Sequence, residues 1–231
     1  MRFVALFKKE LREAAPWIIL AALVMLLICG GLVNLRMRYM GGEPPYWRVN
    51  PGRTVTLYNL FRRSELADCG PVILLTTAGL GVVLAARQFL MPISLKTWAF
   101  TIHRSASPIS ILLAKVAAAI VALCLGVGAV WTVLFFWASK PGALSYVPRT
   151  EVLGEGWLMV ALGMVVYFGT ALTFLSTARW YTTRIFPLAF ATGIFILAIA
   201  QSSTAWFVGV MILGLVILAS QVVHVLLNRE F

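Results

Sequence analysis

Polar and apolar residues occur in long blocks along this chain rather than in short alternation. Six stretches are apolar almost without interruption: 17–35, 70–86, 116–137, 157–178, 185–200 and 205–227. A helix needs about 20 such residues to cross roughly 30 Å of hydrocarbon. Lipid offers backbone N–H and C=O groups no partner, so spans are helices or closed barrels. Barrel strands alternate apolar and polar side chains, and these blocks do not. The pattern predicts an all-α integral membrane protein of six transmembrane helices.

The segments between the blocks differ in kind. Residues 1–15, MRFVALFKKELREAA, place Phe3, Phe7 and Leu11 on one helical face and Lys8, Lys9 and Arg12 toward the other. This predicts an amphipathic interfacial helix, separate from a membrane domain over 16–231. Pro16 would open the first span, since a first helical turn tolerates proline. Phe7, Lys8, Glu10 and Arg12 are its candidate contact residues. Residues 36–69 carry six arginines against Glu43, Glu65 and Asp68, with glycines and prolines in the first half. The second half, TVTLYNLFRRSELAD, predicts a short helix lying on the interface through Leu57, Leu60, Phe61 and Leu66. Residues 139–156, SKPGALSYVPRTEVLGEG, read as a polar connector. A basic turn, 179–184, and the tetrapeptide 201–204 make the remaining links short.

Composition agrees with a bilayer as solvent. The chain of 231 residues is 61% hydrophobic and 12% charged, far from the balance of soluble domains. The net charge of +11 sits in segments flanking the spans, where it sets topology and meets anionic lipid rather than nucleic acid. With the N-terminus inside, the inner segments hold four Lys/Arg in 1–15, four in 87–115, two in 179–184 and one in 228–231. The outer segments hold six in 36–69 and two in 138–156. Eleven against eight, with a basic first segment, predicts both termini on the cytoplasmic side of the plasma (inner) membrane. Glu10 and Glu13 interrupt the N-terminal segment, and no cleavage site follows the long run after Pro16, so no cleavable signal peptide is expected.

Candidate chemistry is sparse. No G-x-x-x-x-G-K-[ST] loop is present, so the chain itself is not expected to bind nucleotide or any other cofactor. Cys29, Cys69 and Cys124 show no metal-ligand spacing. Ser176 and His224 invite comparison with an intramembrane serine protease, but the serine lies in LTFLSTA without G-x-S-G. No charge falls within the cores of the six blocks, which argues against a proton relay. Thr76, Thr77, Thr132, Thr170, Thr173, Ser176 and Thr192 suit helix–helix contacts. Trp17, Trp137, Trp157, Trp180 and Trp206 fall near span ends, as aromatic belts do.

That leaves Arg87–Lys115, RQFLMPISLKTWAFTIHRSASPISILLAK, which is basic and contains no acid. Trp98, Phe100 and Ile102 alternate with polar neighbours. Ser-x-Ser-Pro at 105–108 breaks the chain and caps a new helix leading into the third span. Two readings stand. One is an ordinary basic inner loop; the other is a short element across the membrane plane that passes a partner's movement to the second and third spans.

FKKELRE (7–13), KTWAFTIHRSASPIS (96–110) and ILLAK (111–115), with six spans and the ending Asn228-Arg-Glu, resemble the type 2 family of ABC transporter permeases. That family carries F-x-x-E/K-x-R before its first span. Its connector pattern is G-T-x-x-F-L-L-x-x-P-V-S-R, followed by L-x-x-K. Here Lys96 stands in place of the glycine and Ile111 in place of the final arginine. The resemblance implies the permease subunit of an ATP-driven exporter, not an enzyme by itself. A second permease chain would pair with it, and an ABC ATPase subunit binding ATP and Mg2+ would dock on the connector. The implied coupling residues are Lys96, Thr97, Trp98, Phe100, His103, Arg104, Pro108, Ser110 and Lys115. The alternative function is a non-transport membrane scaffold or assembly factor recruiting a soluble partner through the same connector.

Overall fold

In a computed structural model, the chain is described over residues 2–39, 66, 68–95, 107–140, 148, 150–176, 185–200 and 203–228. Those residues form six helical rods, with no strand among them. We number them α1 (Arg2–Tyr39), α2 (Cys69–Ser94), α3 (from Pro108 to Ala138), α4 (Thr150–Leu175), α5 (Phe186–Ala200) and α6 (Thr204–Asn228). Five of them are long and apolar enough to cross a membrane; α5, with 15 residues, is shorter. The chain is an all-α, multi-pass membrane protein.

α1 departs from expectation. It runs for 38 residues straight through Pro16, about 57 Å at 1.5 Å per residue. Residues 1–15 are thus not a separate helix; from Arg2 on they are continuous with the helix that carries the first apolar block. The reason is visible in the packing. Glu10, Ala14, Ala21, Met25, Cys29 and Val33 are all buried and recur at intervals of four and seven, one stripe of a helix. The stripe crosses Pro16 without a change of face, so tertiary contact holds the segment upright. Ile19, Leu20, Leu23, Leu27 and Ile28 on the other side are exposed, as lipid-facing residues would be.

α2 and α3 each contain one π-helical turn, at Ala86–Leu90 and Cys124–Gly128. Such a turn inserts one residue into the helical register and re-aims the side chains beyond it. α3 starts where the sequence indicated. Ser107 is extended, its hydroxyl oxygen accepts from the Ser110 N–H at 3.3 Å, and Pro108 follows in the first turn.

α4 is the most deeply buried rod and packs against α2, α3, α5 and α6. Small residues set the distances. A Cβ on Gly81 of α2 would lie 2.7 Å from the Gly163 carbonyl oxygen, and one on Gly169 would lie 2.3 Å from the Ala191 Cβ of α5. Backbones meet there because no side chain intervenes. α6 buries Phe207, Met211, Leu218, Val222 and Leu226, a single stripe, and exposes Trp206, Ile212, Leu213 and Val216 on its other side.

Helix ends overrun the apolar blocks. α2 continues to Ser94, α3 begins at Pro108, and α4 begins at Thr150 rather than near 157. Polar side chains lower local hydropathy in these terminal turns, while the backbone goes on as helix. Of the interfacial helix expected within 54–68, only Leu66 and Asp68 are described: Leu66 is buried and Asp68 precedes α2. Leu57, Leu60 and Phe61 lie outside the described residues.

Candidate functional site

The start of α1, the end of α2 and the start of α3 meet at one end of the bundle, here called the connector end. Lys115 lies about two turns into α3 and is only 4% exposed. Its ammonium donates to Glu10 Oε1 at 2.7 Å and to the Gln88 carbonyl at 3.0 Å. The Phe89 ring centroid is 5.7 Å away, within cation–π range. Glu10 is 8% exposed. Gln88 Nε2 returns a bond to the Lys115 carbonyl at 3.4 Å, and the Tyr167 hydroxyl of α4 donates to Gln88 Oε1 at 2.5 Å. The Tyr167 ring also stands against Phe89, centroids 6.3 Å apart. Four helices are therefore joined through one buried polar cluster.

Local sequence explains why the cluster forms. Pro92 stands four residues after Gln88 and has no N–H to offer the Gln88 carbonyl. The Lys115 ammonium takes that acceptor. The π-helical turn over Ala86–Leu90 brings both Gln88 and Phe89 inward, where both are buried. Glu10 arrives on the buried stripe of α1. The pair cancels its own charge, which a buried ion requires. At the rim, Glu13 lies 3.9 Å from both Lys9 and Arg87, with partly exposed side chains; such pairs add little.

This placement corrects two expectations. Lys115 is not available on a surface to touch a soluble partner, and Glu10 is not an interfacial contact; they bind each other. No charge lies within the six apolar blocks, but just outside them Glu10, Lys115 and Glu155 are buried within the helices. Lys8 and Arg12 are exposed and Phe7 is half-buried. Ser110 donates its hydroxyl to the Ser107 carbonyl at 2.8 Å, helping Pro108 begin α3. Lys96, Thr97, Trp98, Phe100, His103 and Arg104 lie outside the described residues.

Gln88, Phe89 and Tyr167 were not singled out from sequence. The available signal was the Gln88–Pro92 spacing, together with a lysine standing inside an apolar helix. The threonines also behave differently from expectation. Thr132, Thr173 and Thr192 bond carbonyls four residues back in their own helices, at 2.8, 2.9 and 2.8 Å, and Thr77 does the same with Ile73. Thr132 also reaches across, accepting from Trp157 Nε1 at 3.2 Å. Among the described residues no group of His, Cys, Asp and Glu is placed to hold a metal.

No family model, no curated protein and no solved structure matches this chain.

Proposed function

We propose that this chain is the membrane-spanning permease subunit of an ATP-driven exporter of the type 2 ABC kind. In this reading all six helices cross the plasma membrane, with both termini on the cytoplasmic side. ATP and Mg2+ belong to a separate ATPase subunit that docks on 96–110, and a second permease chain completes the pathway.

The observation that supports the reading is the buried cluster beside the connector. The connector leaves α2 at Ser94 and enters α3 at Pro108. Just beyond each of its ends stand Gln88 and Lys115, bonded to each other and, through Lys115, to Glu10. Tyr167 brings in the central helix. A force on the connector would load α1, α2, α3 and α4 together instead of bending one helix. Energy from outside the chain needs such a rigid entry point. The buried groups act here as positioning residues for the connector, which remains the docking element.

Cysteine substitution at Phe100 or Arg104, with cross-linking to an ATPase co-expressed from a neighbouring gene, tests the reading. The expected outcome is a cross-linked permease–ATPase species. Absence of any cross-link from every position in 96–110 overturns it.

A further inference from the structure

The opposite end of the bundle holds a second buried acid that the coupling reading does not use. Glu155 lies about one and a half turns into α4, is 5% exposed, and its Oε2 has no hydrogen-bond partner among the described residues. It shares a helical stripe with Val152, Met159 and Leu162, all buried and apolar. Two indole donors at this end of the bundle are engaged elsewhere. Trp131 Nε1 donates to the Leu153 carbonyl and Trp157 Nε1 to Thr132 Oγ1, both at 3.2 Å.

No cation among the described residues is paired with this carboxyl. The ion pairs among the described residues join other groups. The Glu151 carboxylate, one turn earlier, adds like charge. On the helices packed against α4 the remaining titratable groups are Asp68, Cys69 and Arg87 at or on α2, Lys115 and Cys124 on α3 with exposed Lys140 two residues beyond its end, and His224 on α6; α5 carries none. Arg87 and Lys115 belong to the connector end. An unpaired carboxylate in apolar surroundings is strongly unfavourable, whereas the neutral acid is tolerated.

We propose that Glu155 is a proton-binding site, its carboxyl holding a proton taken from water at this end of the bundle for as long as α4 stays packed. Rearrangement that wets this end releases the proton, so proton release reports the packing of α4. The inference stands independently of the transport reading. It needs only the burial and the orphaned oxygen.

N,N′-Dicyclohexylcarbodiimide, which adds to protonated carboxyls in apolar surroundings, supplies the test. The full-length protein in its membrane is treated and its peptides are mapped by mass spectrometry. The expected result is label on Glu155 and none on Glu10, with labelling of Glu155 falling as pH is raised. Glu155→Gln, which mimics the neutral acid, is expected to lose that label and keep the wild-type melting temperature. An unlabelled Glu155 in folded protein overturns the proposal. So does protection of Glu155 by sodium or potassium salts, which would make it a metal-cation site. A melting temperature several degrees lower in Glu155→Gln also overturns it, since that is the response of a paired carboxylate. Labelling of the wild-type chain decides the matter if the variant does not fold.

Discussion

At the connector end the Glu10 carboxylate meets the Lys115 ammonium at 2.7 Å, whereas at the far end Glu155 leaves Oε2 without a partner among the described residues. Both side chains are almost wholly buried, so burial is not what separates them. The difference lies in what neighbouring helices bring. At the connector end Pro92 leaves a backbone acceptor free and a π-helical turn re-aims Gln88, so a cation entering there finds several partners at once. At the far end the same helical stripe carries apolar Val152, Met159 and Leu162, Glu151 adds like charge, and the Trp131 and Trp157 N–H groups are already engaged. One end is built to hold a charge in place; the other tolerates an acid only when it carries none.

The sharpest way to break this contrast is to remove one charge from the pair. Lys115→Met leaves Glu10 buried without its cation and is expected to destabilise the protein by about 3–5 kcal/mol. The double variant Glu10→Gln/Lys115→Met is expected to recover most of that loss, because no uncompensated charge remains. Reversible unfolding in detergent measures both. If Lys115→Met costs no more than Glu155→Gln, the two ends do not differ as described.

A smaller effect is expected from steric change at the far end. A Cβ on Gly156 would lie 2.0 Å from Trp131 Nε1, and that indole is fully buried. Gly156→Ala must displace it from the Leu153 carbonyl and is expected to cost about 1–3 kcal/mol. Trp131 fluorescence, isolated in a background in which the other tryptophans are replaced, would report the shift. An unchanged spectrum and stability would show that the far end repacks freely.

The smallest effect sharpens the connector end. Tyr167→Phe removes the hydroxyl that donates to Gln88 Oε1 while keeping the ring against Phe89. The expected cost is about 1 kcal/mol. In the same unfolding assay, combination with Lys115→Met is expected to be non-additive, since both side chains act on Gln88. Strict additivity would mean that Tyr167 is not part of the cluster.

The all-helical membrane architecture was legible because lipid imposes one rule on every span, and the apolar blocks obey it. The start of α3 was legible too, since Ser107 and Pro108 carry a local capping chemistry that needs no distant partner. The candidate site was legible only in part. Lys115 and Glu10 were recognised as residues that matter, but as surface contacts, because a charge near a span end is by default interfacial. Their separation of 105 positions along the chain gives no local hint of a pair. Glu155 was hidden because the polar stretch around it resembles a connector, although its backbone is already helical.

Hydropathy alone thus determines that this chain enters a bilayer as apolar helices and roughly where they lie. Only packing decides that α1 stays continuous through Pro16, that Lys115 is matched to Glu10, and that Glu155 Oε2 is left without a partner among the described residues. The physical reason is range. A helix is specified by neighbours a few residues apart, whereas the state of a buried charge depends on which groups other helices deliver within a hydrogen-bond length.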